Sequence, residues 1–244
     1  MRLKKDIKAF SLMATSLKTF KPEEEFKGKR VAVVGAADSV FKERKGDFID
    51  DHDVVVRINK SPHTWTAEQS PFIGSKFTIL FHSFFENENS GGGKIDWEIF
   101  REKGILKVIN PNPTSAGLLA HFNYYKRHNS AEKTYLLKRK NYNFFKKNLK
   151  GFTPTVGYAA LSSVLQAECK EVYITGFTFF KTPYASGYRP KLEKMDANRE
   201  HIKNQGLHNP DLELESFRHD FAQTRCENVL LDKELVKVME GETG

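Results

Sequence analysis

Five short runs rich in β-branched residues, each ending in small or polar residues, limit this chain's fold more than any other feature. They are RVAVVG (30–35), DVVVRIN (53–59), FTILFHS (77–83), ILKVINPNP (105–113) and EVYITGF (171–177). Apolar runs without polar alternation are the mark of strands buried on both faces, which occur in parallel sheets. Pro62 stops the second run soon after it ends. A helix from about Gly157 to Cys169 precedes the last run, and helical or irregular stretches separate the others. The alternation predicts an α/β fold, a Rossmann-like and mostly parallel sheet flanked by helices in a single domain. Ligands of such sheets bind beyond the carboxyl ends of the strands. Gly35, Asn59, His82–Ser83 and Asn110 stand at those ends, and their convergence points to a nucleotide site.

Size and charge agree with that outline. A chain of 244 residues suits one domain with a substantial core. Its 20 Phe residues imply an aromatic core and aromatic walls near a site. The net charge of +8 favours an anionic partner, be it a nucleotide-sugar, an anionic glycan or lipid, or nucleic acid; it equally describes a basic solvated surface. The two cysteines, Cys169 and Cys226, have no zinc-site spacing and read as free thiols in a reducing compartment. Residues 1–27 read as a basic amphipathic segment ahead of the main domain, residues 28–244. Its apolar stretch is too short and polar for a transmembrane helix or a secretory signal. Ile7, Phe10, Leu12, Met13 and Leu17 form one face of a helix with lysines opposite. Such a helix either packs on its own domain or lies on an anionic membrane, the first being the expectation.

Four further stretches carry chemistry. VAVVGAADS has a strand and a Gly turn but lacks the G-x-G-x-x-G spacing of a dinucleotide site. Asp51-His52-Asp53 satisfies a D-x-D pattern suited to a divalent metal, and equally reads as polar residues leading into a buried strand. In TPTVGYAALSSVLQ a helix N-terminus behind Thr155 can cradle one phosphate, or Thr155 is an ordinary cap. HNPDLE puts His208 at a helix entrance, beside a long polar segment (182–206) that reads as a lid or binding loop. A histidine there suits general-base work on a hydroxyl, although capping and surface histidines look the same.

These fragments together, and in order, resemble the sialyltransferase family, glycosyltransferase family 29. VAVVGAADSV…GDFIDDHDVVVRINKSP…FIGSK (31–76) resembles the family's large motif, TPTVGYAAL…ECKEVYITGF (153–177) its small motif, and HNPDLE (208–213) its very small motif. The resemblance implies a variant of the GT-A glycosyltransferase fold, with 28–244 as a CMP-sugar-dependent transferase domain. It implies that His208 removes the acceptor's proton and that Asn59 contacts the donor's nucleotide or phosphate. Thr155 and Gly157 would cradle the donor, with Gly176 and Phe177 near the cytidine. No cofactor or metal is implied, because the CMP leaving group carries a single phosphate that hydrogen-bond donors can stabilise. Three departures stand out. The Asn expected after Gly35 is Ala36, so that contact is missing or remade by backbone. The hydroxyl expected before Gly157 is Val156. The cysteine that pairs with the equivalent of Cys169 in vertebrate members is Val31 here, which agrees with a cytoplasmic protein. The family's aromatic third motif has no clear match; Tyr184 and Tyr188 are its nearest substitutes.

The sequence thus predicts an inverting, metal-independent glycosyltransferase. It would pass an acidic sugar, sialic acid or Kdo, from a CMP-sugar to a hydroxyl of a glycan or glycolipid. Lipopolysaccharide or capsule precursors at a membrane face fit the charge, with peripheral contact to the inner membrane, and the short format suggests a bacterial or viral source. Two rivals remain. One is a metal-dependent UDP- or GDP-sugar transferase holding its ion on Asp51 and Asp53. The other is a basic module for RNA or anionic glycans, using KTYLLKRKNYNFFKKNLK (133–150), which reads equally well as a lysine-faced helix around an aromatic core strip. Nucleic acid is not the expected partner.

Overall fold

The computed structural model describes residues 2–87, 91–185 and 206–242. Their centre is an eight-stranded sheet in the order β1-β6-β5-β4-β3-β2-β7-β8, in which every pairing is parallel. The strands are β1 (Leu17–Phe20), β2 (Arg30–Val34), β3 (Val54–Ile58), β4 (Ile79–Phe81), β5 (Lys107–Asn110), β6 (Thr134–Leu137), β7 (Glu171–Thr175) and β8 (Val229–Leu231). The longer helices are α1 (Arg2–Ser16), α2 (Trp97–Glu102), α3 (Ser115–His128), α4 (Arg139–Lys147), α5 (Val156–Leu165), α6 (Pro210–Ala222) and α7 (Lys233–Glu240).

Alternation of side chains along the strands divides the core in two. Val31 and Val33, with Val54 and Val56, face one side, where α4, α5, α6 and α7 supply Tyr142, Phe145, Ala159, Phe217 and Leu235. The alternate residues Ala32, Val34 and Val55 face the other side. There Leu80 and Val108 meet Phe100 of α2, Ala120 and Tyr124 of α3, and Ala9 of α1. Helices thus cover both faces, as a parallel sheet requires.

Two expectations need correcting. Residues 1–27 are not a segment ahead of the domain: β1 pairs with β6 from Leu17↔Thr134 to Phe20↔Leu137, so the segment supplies an edge strand of the sheet. The face drawn through Ile7, Phe10, Leu12, Met13 and Leu17 also divides. Leu12, Met13 and Leu17 pack on the core, whereas Ile7 and Phe10 are exposed. A helix with one stripe inward cannot place residues at such divergent angles on it.

The lysine-rich stretch 133–150 resolves into β6 and then α4. Tyr142 and Phe145 are buried in the core while Lys140, Lys147 and Lys150 face solvent. That is the lysine-faced helix on an aromatic strip, not an aromatic platform interleaved with cations.

Candidate active site

The chain runs outward in both directions from β2: β3, β4 and β5 lie on one side, β7 and β8 on the other. Beyond the carboxyl ends at this switch of direction lies a cavity of about 440 Å³. Its floor is a close approach of two backbones. A Cβ on Gly35 would stand 2.1 Å from the Gly176 carbonyl oxygen, so nothing larger than glycine fits there. Gly176 itself has φ +75°, and a Cβ on it would meet Val40 at 2.3 Å. Asp232, the N-cap of α7, fixes this turn by accepting hydrogen bonds from the Thr175 hydroxyl (2.7 Å) and the Gly176 N–H (2.8 Å). The Ala36 carbonyl accepts from the Ala185 N–H at 2.8 Å, and Ala37 bridges to Tyr184. The backbone at the departing Ala36 is thereby engaged by the 183–185 segment.

One wall is the start of α5. Thr155 caps it, its hydroxyl oxygen accepting from the Tyr158 N–H at 3.1 Å. The first-turn N–H groups of Val156 and Gly157 take no acceptor among the described residues, and both residues line the cavity. Orphan donors at a positive helix end suit an anion. Phe177 packs across Gly157, where an added Cβ would lie 3.1 Å from its ring.

The opposite rim is the entrance of α6. Asn209 caps this helix, its side-chain oxygen accepting from the Asp211 and Leu212 N–H groups at 3.2 and 3.1 Å, with Pro210 in the first turn. His208 directly precedes the cap and is half-buried. Its Nδ1 lies 2.7 Å from the Thr153 carbonyl oxygen. A carbonyl only accepts, so Nδ1 carries the hydrogen and Nε2 is the basic nitrogen. The Thr153 N–H in turn donates to the Leu207 carbonyl at 2.8 Å, which locks the two segments together.

Glu213, one turn into α6, ties the two walls. Its carboxyl oxygens take hydrogen bonds from the Thr155 N–H (2.6 Å) and hydroxyl (2.8 Å). Burial pushes its pKa up to about 8, against the lowering effect of those two bonds. The very small motif thus joins the cap of α5 to the histidine loop. Sequence spacing alone marks the motif but not this linkage.

Gly35, Ala36, Asn59, Thr155, Gly157, Gly176, Phe177, Tyr184 and His208 all line the same cavity. Tyr188 lies outside the described residues, as does most of the 182–206 segment. Asn59 takes a left-handed conformation (φ 51°), and its side-chain oxygen accepts from the Ser83 N–H at 3.2 Å. Ser83 and Asn110 belong to the lining too, and their place at strand ends marks them in the sequence. Asn112 and Thr178 also line it, without any sequence signal. No described lining residue is Lys or Arg, so the chain's positive charge does not gather on the described wall of the cavity.

Most of the large motif is scaffold. Asp50 accepts from the Ser75 N–H and hydroxyl (both 2.8 Å) and the Lys76 N–H (2.9 Å). Buried Arg57 donates to the Ile73 and Lys76 carbonyls at 2.7 and 3.0 Å. Both fix the G-S-K turn. The D-x-D reading fails here. Asp51 pairs with Arg30 at 2.7 Å, Asp53 accepts from the Arg30 N–H at 2.8 Å, and both precede β3, at the sheet end opposite the cavity.

A fully parallel α/β sheet with its cavity at the topological switch point defines the chain as a Rossmann-like, GT-A-like α/β protein. A sequence model of glycosyltransferase family 29 (sialyltransferase) matches residues 2–140. The chain belongs to that family and is a glycosyltransferase. The match ends before the small and very small motifs. No curated protein matches the chain. Among solved structures, a mammalian sialyltransferase superposes with a TM-score of 0.53 at 16% identity, over 92% of this chain and 78% of that one. The monofunctional α-2,3-sialyltransferase Cst-I of Campylobacter jejuni gives a TM-score of 0.55 at 14% identity, over 86% of this chain and 78% of that one. Another structure of a mammalian sialyltransferase, in complex with Gal-β-1-3GalNAc-ortho-nitrophenol, gives 0.52 at 17% identity, over 91% and 78%.

Proposed function

We propose that the chain transfers an acidic sugar, sialic acid as the family indicates with Kdo the alternative, from a CMP-sugar to a hydroxyl of a glycan or glycolipid. The observation that carries this reading is one cavity bounded by a tautomer-fixed histidine and a helix end with unspent N–H donors. His208 Nε2 accepts the proton of the acceptor hydroxyl as its oxygen bonds to the anomeric carbon. The bond from that carbon to the phosphate oxygen breaks on the opposite face, so configuration inverts and CMP departs with the bonding electrons. The N–H groups at the start of α5 stabilise the charge growing on the phosphate, work that preorganised donors do without an ion. Gly35, Gly176 and Phe177 form the floor for the nucleoside, Asn59 meets its ribose or phosphate, and Tyr184 closes one side. No metal has a role in this scheme, and Asp51 and Asp53 are committed elsewhere.

The test is thermal stabilisation by a panel of nucleotides with EDTA present. CMP or CDP raises Tm and UDP or GDP does not. Equal stabilisation by UDP, or a response that requires a divalent ion, overturns the donor assignment. In a transfer assay from CMP-sialic acid, His208→Ala lowers kcat by about 10²–10⁴-fold while CMP binding persists, the range expected for loss of a general base. Unchanged kcat removes His208 from the mechanism.

A further inference from the structure

α1 meets the domain with one side only. Ala9 and Ser16 are buried, Leu12 and Met13 are half-buried, and Asp6 is paired with Lys126 of α3 at 2.5 Å. The other side carries a second apolar stripe. Leu3, Ile7 and Phe10 are 72%, 61% and 68% exposed. At about 100° per residue they fall within about 60° of one another on the helix. Isolated exposed apolar residues are ordinary, but three large ones in register are not. Lys4 and Lys8 border the stripe on one flank. Neither of these lysines forms an ion pair among the described residues. The one acidic side chain of the helix is already held by Lys126.

A row of large apolar side chains edged by unpaired lysines is the pattern of a helix that lies in a lipid interface. A second copy of the chain fits the face poorly. A two-fold contact is self-complementary and would set the lysines of one copy beside those of the other. Anionic lipid supplies both an apolar layer and the opposite charge.

We propose that α1 docks this protein on an anionic lipid surface, with Leu3, Ile7 and Phe10 entering the acyl boundary and Lys4 and Lys8 facing lipid phosphates. Docking is independent of the sugar or nucleotide the cavity takes. On such a surface the transferase would meet acceptors carried by lipid.

Sedimentation of the full chain with vesicles, without nucleotide, tests this. Vesicles of phosphatidylglycerol mixed with phosphatidylcholine bind the protein, and vesicles of phosphatidylcholine alone bind it far less. The triple variant Leu3→Ser, Ile7→Ser, Phe10→Ser lowers partitioning at least about tenfold. Each of Lys4→Gln and Lys8→Gln lowers it about fivefold. All these positions are exposed, so Tm and transfer to a soluble acceptor stay at the parent values. Equal binding by the triple variant, or equal binding to both kinds of vesicle, overturns the proposal. A dimer in solution that the triple variant converts to monomer overturns it as well, since a second copy then covers the face. Failure of the CMP-sugar reading leaves the vesicle result standing, and the converse also holds.

Discussion

At the scale of single residues, Glu213 is the group whose chemistry the sequence does not disclose. A buried carboxyl with a pKa near 8 is neutral over most of the neutral range. One of its oxygens accepts the Thr155 N–H and the other accepts the Thr155 hydroxyl. Glutamine keeps the acceptor for the Thr155 N–H in its carbonyl oxygen and removes the titrating proton, while losing the bond from the Thr155 hydroxyl. The folded state holds a proton that the unfolded carboxyl releases above its model value of 4.5. Stability from this group is therefore full below about 4.5 and is lost as pH rises to about 8. Thermal denaturation of Glu213→Gln across that range checks this: the variant gains on the parent as pH rises, by up to a few kcal/mol at roughly 1.4 kcal/mol per unit. Glu213→Ala is less stable at acidic pH, by about 1–3 kcal/mol, because Thr155 loses its partner. A pH-independent difference between glutamine and parent shows the carboxylate is ionised throughout. Cys169 and Cys226 give a second residue-scale prediction. Both sulfurs reach the Val164 carbonyl, at 3.5 and 3.6 Å, so loop and core place them together although 56 positions separate 169 from 226. Cys169 is fully buried whereas Cys226 is partly exposed, so a thiol reagent reaches Cys226 first. Native protein treated with iodoacetamide is alkylated at Cys226 before Cys169, as peptide mass mapping can read. The reverse order contradicts this difference in access.

At the scale of elements, what the sequence reveals depends on how completely an element is buried. β2, β3 and β7 have helices on both faces, so their apolar runs are nearly continuous and their positions are legible within a residue or two. β4 and β5 shrink to Ile79–Phe81 and Lys107–Asn110 because only those residues pair with neighbours, while the apolar residues around them pack as loop. β1, β6 and β8 are not legible. LKTF and VLL are short edge strands, and TYLL lies inside a lysine-rich stretch that masks its half-buried pattern. The helix at 156–165 stops short of Cys169 because Gln166 caps it and Glu168 takes a left-handed conformation at φ 53°. Motif resemblance, rather than spacing, gathers the cavity residues. Nothing in the local pattern of Asn59, Thr155 or His208 says that residues with 148 positions of chain between the first and last close on one cavity. The same resemblance does not separate the residues that line the cavity from those that support it. Asp50 and Arg57 sit in the large motif beside Asn59, yet both are spent on the 73–76 turn. Only burial and hydrogen-bond partners make that division.

At the scale of the whole molecule, the chain separates its charge from its cavity. The described wall of the site offers N–H groups and hydroxyls for an anion, while lysines collect on α4 and on the outer side of α1. The first twenty residues then serve two surfaces at once, and the inner one is structural. Phe20 is 2% exposed and stands edge-on to Phe26 and Phe81 at 5.7 and 5.8 Å. Ala9 closes the layer over Tyr124 and Tyr125, and the Ser16 hydroxyl donates to the Ala131 carbonyl at 3.2 Å. Deleting residues 2–20 would strip this cover and leave β6 as an edge with unpaired N–H and C=O groups, a template for pairing with other chains. Loss of Phe20 and its neighbours costs at least ~3 kcal/mol by burial alone, which corresponds to roughly 6–12 °C in Tm for a chain of this size. The truncated protein is therefore expected to melt lower and to aggregate at concentrations where the full chain stays monodisperse. The triple serine variant of the outer stripe, by contrast, should melt with the parent. Calorimetry and light scattering on the three proteins separate the two roles. If the truncation melted with the parent, residues 2–20 would be a removable appendage and the edge strand would contribute nothing to the fold.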